Sequence, residues 1–148
     1  MISIIGGKLK GHKLNSAKIN SVRPTQAKIR KSIMDIIYAF ENKTVLDLYS
    51  GFGTLGIESL SRGAKSVDFV EKDYKVIKVL RQNVDSLGLH NRCSIFKSCV
   101  FDFLNKSNSK YDIIFADPPY RTCDFTMILS KVKNKLNSGG LFCFESNK

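Results

Sequence analysis

Apolar and polar positions along the chain follow two patterns that change over at Thr44. From there on, short apolar runs alternate with stretches of helical spacing. Thr44–Leu48, Ser66–Glu71, Cys93–Phe96, Asp112–Ala116 and Leu141–Glu145 read as strands. Between them, Gly53–Ser61, Tyr74–Leu87 and Phe125–Leu136 place apolar residues three and four apart and predict helices, with a weak helical turn over Val100–Asn105. Gly139-Gly140 reads as the turn that opens the last strand. Strand and helix in alternation indicate βαβ units, hence an α/β fold with a mostly parallel sheet and helices on both faces.

Upstream of Thr44 the pattern is different. Ile2–Ile5 and His12–Leu14 are short extended segments flanking Gly6-Gly7-Lys8-Leu9-Lys10-Gly11, a glycine-rich hairpin. Arg23-Pro24-Thr25 interrupts the chain, and Gln26–Phe40 reads as a helix with Ala27, Ile29, Ile33, Ile36, Ile37 and Phe40 on its apolar side. The expected organisation is a hairpin-and-helix extension over 1–43 and an α/β domain over 44–148. The sequence holds no internal repeat, low-complexity tract or interdomain linker.

Composition narrows the class. The chain has 148 residues, 43% hydrophobic and 25% charged, a globular balance. No apolar run approaches the ~18–20 residues of a membrane span. The first residues lack a basic start followed by an apolar stretch, so secretion is not expected. Four Cys without C-x-x-C pairing and only two His argue against a metal site, and scattered thiols fit a reducing cytoplasm. The net charge of +11 is uneven: residues 1–43 carry nine Lys or Arg against Asp35 and Glu41. A basic extension on a nearly balanced domain points to a polyanionic partner, most simply nucleic acid.

In open α/β sheets ligands bind outside the carboxyl ends of the strands, and Asp47, Glu71 and Asp117 all fall at such ends. Gly51, Gly53 and Gly56 spell G-x-G-x-x-G, with Glu71 at the distance of the ribose-binding acid in the dinucleotide fingerprint. Against NAD, Asp47 brings negative charge to where a pyrophosphate would lie. S-adenosylmethionine suits the loop better, with its ammonium and sulfonium near Asp47 and its ribose hydroxyls at Glu71. The glycines let the backbone approach such a ligand closely.

Asp117-Pro118-Pro119-Tyr120 ends the apolar run Tyr111–Ala116. Two prolines stiffen the turn and remove two N–H donors, leaving acceptors exposed. The Asp117 carboxylate and the Pro118 carbonyl suit the hydrogens of an exocyclic nucleobase amine, and Tyr120 offers a face for the base. Such an amine is a poor nucleophile because its lone pair is delocalised, so gripping its hydrogens and aligning it with a methyl donor is the useful chemistry. The base must be unstacked to reach the turn.

Taken together these residues resemble the family of bacterial methyltransferases that modify N2 of one guanine in 16S ribosomal RNA. Ile4-Ile5-Gly6-Gly7-Lys8, Gly11-His12-Lys13-Leu14 and Arg23-Pro24-Thr25 resemble its opening signatures. Asp47 to Glu58, Ser61-Arg62-Gly63-Ala64, Phe69-Val70-Glu71-Lys72-Asp73 and Asp117 to Tyr120 resemble its cofactor and catalytic motifs. Asp-Pro-Pro-Tyr by itself is shared with amino-methylating DNA enzymes.

The resemblance implies a Rossmann-like class I methyltransferase fold with S-adenosylmethionine as cofactor. It implies cofactor contacts at Asp47, Gly51, Gly53 and Glu71, and catalytic contacts at Asp117, Pro118 and Tyr120. Substrate contacts are implied at Arg23 and Thr25 near the mouth of the site and at Lys8 and Lys10 on RNA phosphates. The implied partner is 16S rRNA or the assembling small subunit, without membrane or metal, and a cytoplasmic monomer is expected. Where the family carries an adenine-contacting acid, alignment on Phe103-Leu104 puts Cys99, with Asp102 three residues on. Arg30-Lys31 replaces the family's usual Arg-Glu. Relatives continue past Glu145 into a further antiparallel hairpin, so either a shortened gene product or a fragment is expected, and loss of that hairpin would leave an open sheet edge. A DNA amino-methyltransferase and an RNA-binding assembly module without turnover are the other readings.

Overall fold

In the computed structural model, residues 2–17, 27–119 and 125–145 are described. Val45, Leu46, Leu48, Val67, Phe69, Val70, Ile113, Ile114 and Phe115 are all buried. Consecutive apolar residues with both faces covered mark central parallel strands. They lie in β3 (Thr44–Leu48), β4 (Ser66–Glu71) and β6 (Tyr111–Ala116), flanked by β5 (Cys93–Lys97) and β7 (Leu136–Phe144). The order is β5-β4-β3-β6-β7, with every pairing parallel. From β3 the chain runs outward through β4 and β5, then crosses back to β6 and β7. The order therefore reverses beside β3, where such sheets open a ligand crevice. The α/β class and parallel sheet expected from the sequence are those observed.

Helices cover both faces. α2 (Thr54–Ser61) and α3 (Tyr74–Ser86) pack Leu55, Ile57, Leu60, Leu80 and Val84 against Val45, Val67, Phe69 and Phe115. On the other face α4 (Val100–Lys106) and α5 (Phe125–Val132) pack Val100, Phe103, Leu104, Ile128 and Val132 against Leu46, Leu48, Val70 and Ile114. The N-terminal segment joins the first of these cores. β1 (Ile2–Ser3) and β2 (Lys13–Leu14) form a short antiparallel hairpin, followed by α1 (Ala27–Ile37). Ile4, Leu14, Met34, Ile37 and Phe40 share one apolar cluster with Val45 and Leu60.

Two sequence expectations need correction. In α1 the buried residues are Arg30, Met34 and Ile37, while Ile29 and Ile36 are 38% and 77% exposed. The inward stripe runs i, i+4, i+7 through a charged residue, so counting apolar positions alone misplaces the face. At the other end, α5 stops at Val132, a 3₁₀ turn spans Lys133–Lys135, and β7 already begins at Leu136. Gly139-Gly140 lies within β7. Leu136 pairs with Tyr111 and Leu141 with Ile113, so β7 spends extra residues in a bulge between these pairs. Gly139 has φ 77°, and a Cβ at Gly140 would stand 2.9 Å from the Asn137 carbonyl oxygen. The glycines allow the bulge rather than a turn.

Candidate cofactor and substrate site

Asp47 pairs in register with Phe69 on one side and Phe115 on the other, and Phe115 with Cys143. Side chains alternate along strands, so Glu71, Asp117 and Glu145, each two positions further on, extend the same row at the carboxyl ends. The Glu145 N–H donates to the Ala116 carbonyl at 3.0 Å, continuing the ladder past β7. The sheet thus brings four carboxyl side chains from four strands to one edge.

The loop after β3 is fastened by these acids. Asp47 Oδ2 accepts the Gly56 N–H at 3.0 Å, holding the first turn of α2. Glu71 Oε1 accepts the Gly51 N–H at 3.2 Å, and its Oε2 the Asp73 N–H at 2.8 Å. Gly53 has φ 90°, and a Cβ there would lie 2.4 Å from Leu80 Cδ1, so only glycine lets the loop reach α2 over α3. Tyr49 adopts φ 55°, an uncommon conformation for a bulky residue that the surrounding loop must hold in place.

Carboxyl groups crowd this edge. Asp47 is 2% exposed. Burial pushes its carboxyl well above the usual range, the Gly56 N–H pulls it back, and the charges of Asp117 and Glu71 add to the rise. A cationic ligand would relieve that repulsion. Ser50 Oγ is buried with no hydrogen-bond partner, directly before Gly51, and so has capacity for a ligand's polar atom. Carboxylates for an ammonium and a sulfonium, acceptors for ribose hydroxyls and an orphaned hydroxyl fit S-adenosylmethionine. They do not fit a pyrophosphate.

Cys99 is exposed at the start of α4, where Ser98 donates its N–H to the Glu71 carbonyl at 3.1 Å, so the loop after β5 borders the Glu71 end of the row. Pro118 is buried beside Asp117. Tyr120, Arg23 and Thr25 lie outside the described residues.

Lys8 is held elsewhere. Its N–H donates to the carbonyl of Ser61, at the C-terminus of α2, and it lines a cleft of about 280 Å³ with Glu41, Lys65 and Arg92. Those residues precede β3, β4 and β5, so the structure puts Lys8 at the amino end of the sheet, opposite Asp117. Lys10 follows in the same turn, bonded to the Gly7 carbonyl at 3.2 Å.

Two buried polar residues that the sequence reading passed over hold the extension to the loop. Glu58, on α2, accepts the N–H groups of Ile5 at 2.8 Å and Gly6 at 2.9 Å, and Arg62 Nε at 3.1 Å. Asn83, on α3, donates to the carbonyls of Asn15 at 3.1 Å and Phe52 at 3.0 Å and accepts the Asn15 N–H at 2.6 Å. A polar residue at a core position of an apolar helix stripe was the signal available for both. Among the described residues, no group of His, Cys, Asp and Glu could hold a metal ion, and no helix is long and apolar enough to cross a membrane.

The family model described as "Conserved hypothetical protein 95" matches residues 2–148. The chain belongs to this family. It is 35% identical over 136 residues to the Ribosomal RNA small subunit methyltransferase D of Buchnera aphidicola subsp. Acyrthosiphon pisum, covering 90% of this chain and 71% of that protein. To the protein of the same name from Escherichia coli K12 it is 32% identical over 121 residues, covering 81% and 61%. The chain thus spans less than the full length of these relatives. The solved structure of yhhF from Escherichia coli superposes with a TM-score of 0.88 at 28% identity, covering 99% of this chain and 81% of that one. The fold is also that of SMU.776, a methyltransferase solved with SAH, at a TM-score of 0.75 and 20% identity. Family members are methyltransferases, and the architecture here is the methyltransferase one.

Proposed function

We propose that this protein transfers a methyl group from S-adenosylmethionine to the exocyclic N2 of a guanine in the 16S rRNA of the small ribosomal subunit. The observation that carries this reading is the row of Glu71, Asp47 and Asp117 on adjacent strands, in a chain related to small-subunit rRNA methyltransferases. The cofactor, when bound, supplies an electrophilic methyl on a sulfonium. Asp47 and Glu71 hold its cationic and ribose ends, and Gly51 and Gly53 allow the backbone to come close. Asp117 and the Pro118 carbonyl accept the hydrogens of the target amine and set its lone pair toward the methyl group. Alignment in this way is the main rate gain open to the site. The amine surrenders a proton after transfer, and Asp117 is placed to pass it to solvent.

The extension supplies the RNA contact through its basic residues. With Lys8 and Lys10 at the amino end of the sheet, strands of five or six residues separate them from Asp117. At roughly 3.3 Å per residue that is about 15–20 Å. Phosphate contacts there call for a folded RNA that spans the domain, which favours ribosomal RNA over a short single strand. Methyl transfer from labelled cofactor to undermethylated small subunits, free 16S RNA and DNA, followed by nucleoside analysis, tests the reading. N2-methylguanine in RNA is the expected product. N6-methyladenine in DNA would replace the reading with the DNA enzyme, and cofactor and RNA binding without incorporation would replace it with the assembly module.

A further inference from the structure

Guanine presents two neighbouring kinds of donor on its Watson–Crick edge, the N2 amine and the N1–H. Adenine has only an acceptor at N1. An enzyme that grips the amine alone would not read N1, and Asp117 with the Pro118 carbonyl accounts for the amine only. The next strand supplies a further acceptor. Glu145 directly follows β7, which pairs with β6 through Ala116 and Phe144. Its N–H bond to the Ala116 carbonyl at 3.0 Å places it alongside Asp117, the residue after Ala116. Neighbouring strands lie about 4.8 Å apart.

Alternation puts Glu145 on the face of Cys143, just as it puts Asp117 on the face of Phe115. The Cys143 thiol bears this out: burial raises its pKa, and the charges of Glu145 and Asp117 both raise it further. Glu145 is only partly exposed. Asp47 and Glu71 are committed to the loop and to the cofactor end of the row, which leaves Glu145 on the far side of Asp117.

We infer that Glu145 is the specificity-determining residue for guanine, its carboxylate accepting the N1–H while Asp117 and the Pro118 carbonyl hold the N2 amine. This rests on the proposed guanine-N2 activity. It adds a basis for rejecting bases with a lone pair at N1, which a carboxylate repels. Sites built to pair with a substrate N–H discriminate strongly against analogues that lack it, because the site's buried acceptor is left unpaired.

The test uses 2-aminopurine, which keeps the N2 amine but carries an unprotonated N1. Once nucleoside mapping has located the methylated guanine, RNA with guanine or 2-aminopurine at that position is offered to the wild-type protein and to Glu145→Gln. Glutamine keeps an acceptor for the N1–H, and by turning its amide it gains a donor for the lone pair. The four kcat/KM values form a cycle in which effects of the base alone and of the variant alone cancel.

The expected result is a preference for guanine that shrinks by about tenfold or more in Glu145→Gln, a change of about 1.4 kcal/mol. Cofactor affinity should stay within about twofold, since Glu145 lies away from the cofactor end. Glu145→Ala, checked by cofactor binding for an intact fold, should lose activity on guanine and also narrow the preference over 2-aminopurine, since the carboxylate that accepts the N1–H and repels the N1 lone pair is gone. Transfer to guanine with an unchanged cycle overturns the inference and leaves the proposed activity standing. No transfer to guanine by the wild-type protein overturns both.

Discussion

The Arg30 guanidinium stands 3.7 Å from the Glu58 carboxylate, both side chains almost wholly buried, and joins the N-terminal helix to the helix that leaves the cofactor loop. Arg30 also donates to the Ser3 carbonyl at 2.7 Å, while Glu58 takes the N–H groups of Ile5 and Gly6. Hairpin, α1 and α2 therefore meet at one charged centre. Burial lowers the Arg30 pKa, and the Glu58 charge works against that. A carboxylate with this many donors is well satisfied, but each donor depends on it.

Glu58→Ala should therefore destabilise the fold strongly. It removes the Glu58 carboxylate from the buried Arg30 guanidinium and leaves two backbone N–H groups unbonded, a loss of about 3–5 kcal/mol by analogy with broken buried pairs. Glu58→Gln keeps an acceptor oxygen and should lose less. Urea unfolding of the three proteins checks the order, and equal stability of all three would dismiss the centre as an anchor.

Asp117→Ala should reduce methyl transfer by at least about 100-fold, the usual scale for removing a group that orients or stabilises the reacting centre. Cofactor affinity should change little, because Asp47 and Glu71 hold the other part of the row. Single-turnover transfer and calorimetric titration with S-adenosylmethionine separate the two quantities. A parallel loss of binding would move Asp117 from the substrate to the cofactor.

Glu71→Ala should weaken cofactor binding by ~10–100-fold, equivalent to ~1–3 kcal/mol for charged hydrogen bonds to ribose. Part of that loss is indirect, since the Gly51 N–H and Asp73 N–H lose their acceptor. Glu71→Gln separates the two contributions by keeping one oxygen for Gly51. An unchanged dissociation constant in Glu71→Ala would remove Glu71 from the cofactor site.

Most of the sheet could be read from local pattern because its central strands are buried on both faces. Thr44–Leu48 and Ser66–Glu71 were bounded to the residue, since apolar runs and flanking polar residues change abruptly there. Features that depend on distant contacts could not be read this way. The inward turn of Arg30 needs Glu58, 28 positions on, and the hairpin carbonyl of Ser3. The bulge at Gly139-Gly140 needs the register with β6. For Lys8, expected on RNA phosphates, charge is legible in the sequence and place is not. Its position is set by the Ser61 carbonyl at the far end of α2. Asp47, Glu71 and Asp117 could be found because strand ends in this architecture are where ligands bind, a rule that needs no coordinates.

Asp47 gives the prediction that ties electrostatics to function. Its carboxyl pKa is raised in the folded protein, so its contribution to stability is fully present below the unfolded value of about 3.9 and is lost as pH rises through the raised folded value. Above the raised folded value the protein bears a buried charge it would be more stable without. Asp47→Asn removes that charge and keeps an oxygen for the Gly56 N–H. The cofactor-free variant should therefore equal or exceed the wild type in stability, with a difference that grows as pH rises through the folded pKa and then levels off. Cofactor affinity should move oppositely, falling by ~10–100-fold as a cationic ligand loses its charged partner. In the wild type, a bound cation lowers the Asp47 pKa, so binding should release protons and tighten with pH across the same window. Thermal melts at stepped pH and titrations in buffers of different ionisation enthalpy measure both sides. A variant that is less stable at neutral pH and still binds normally would show that Asp47 serves the fold alone.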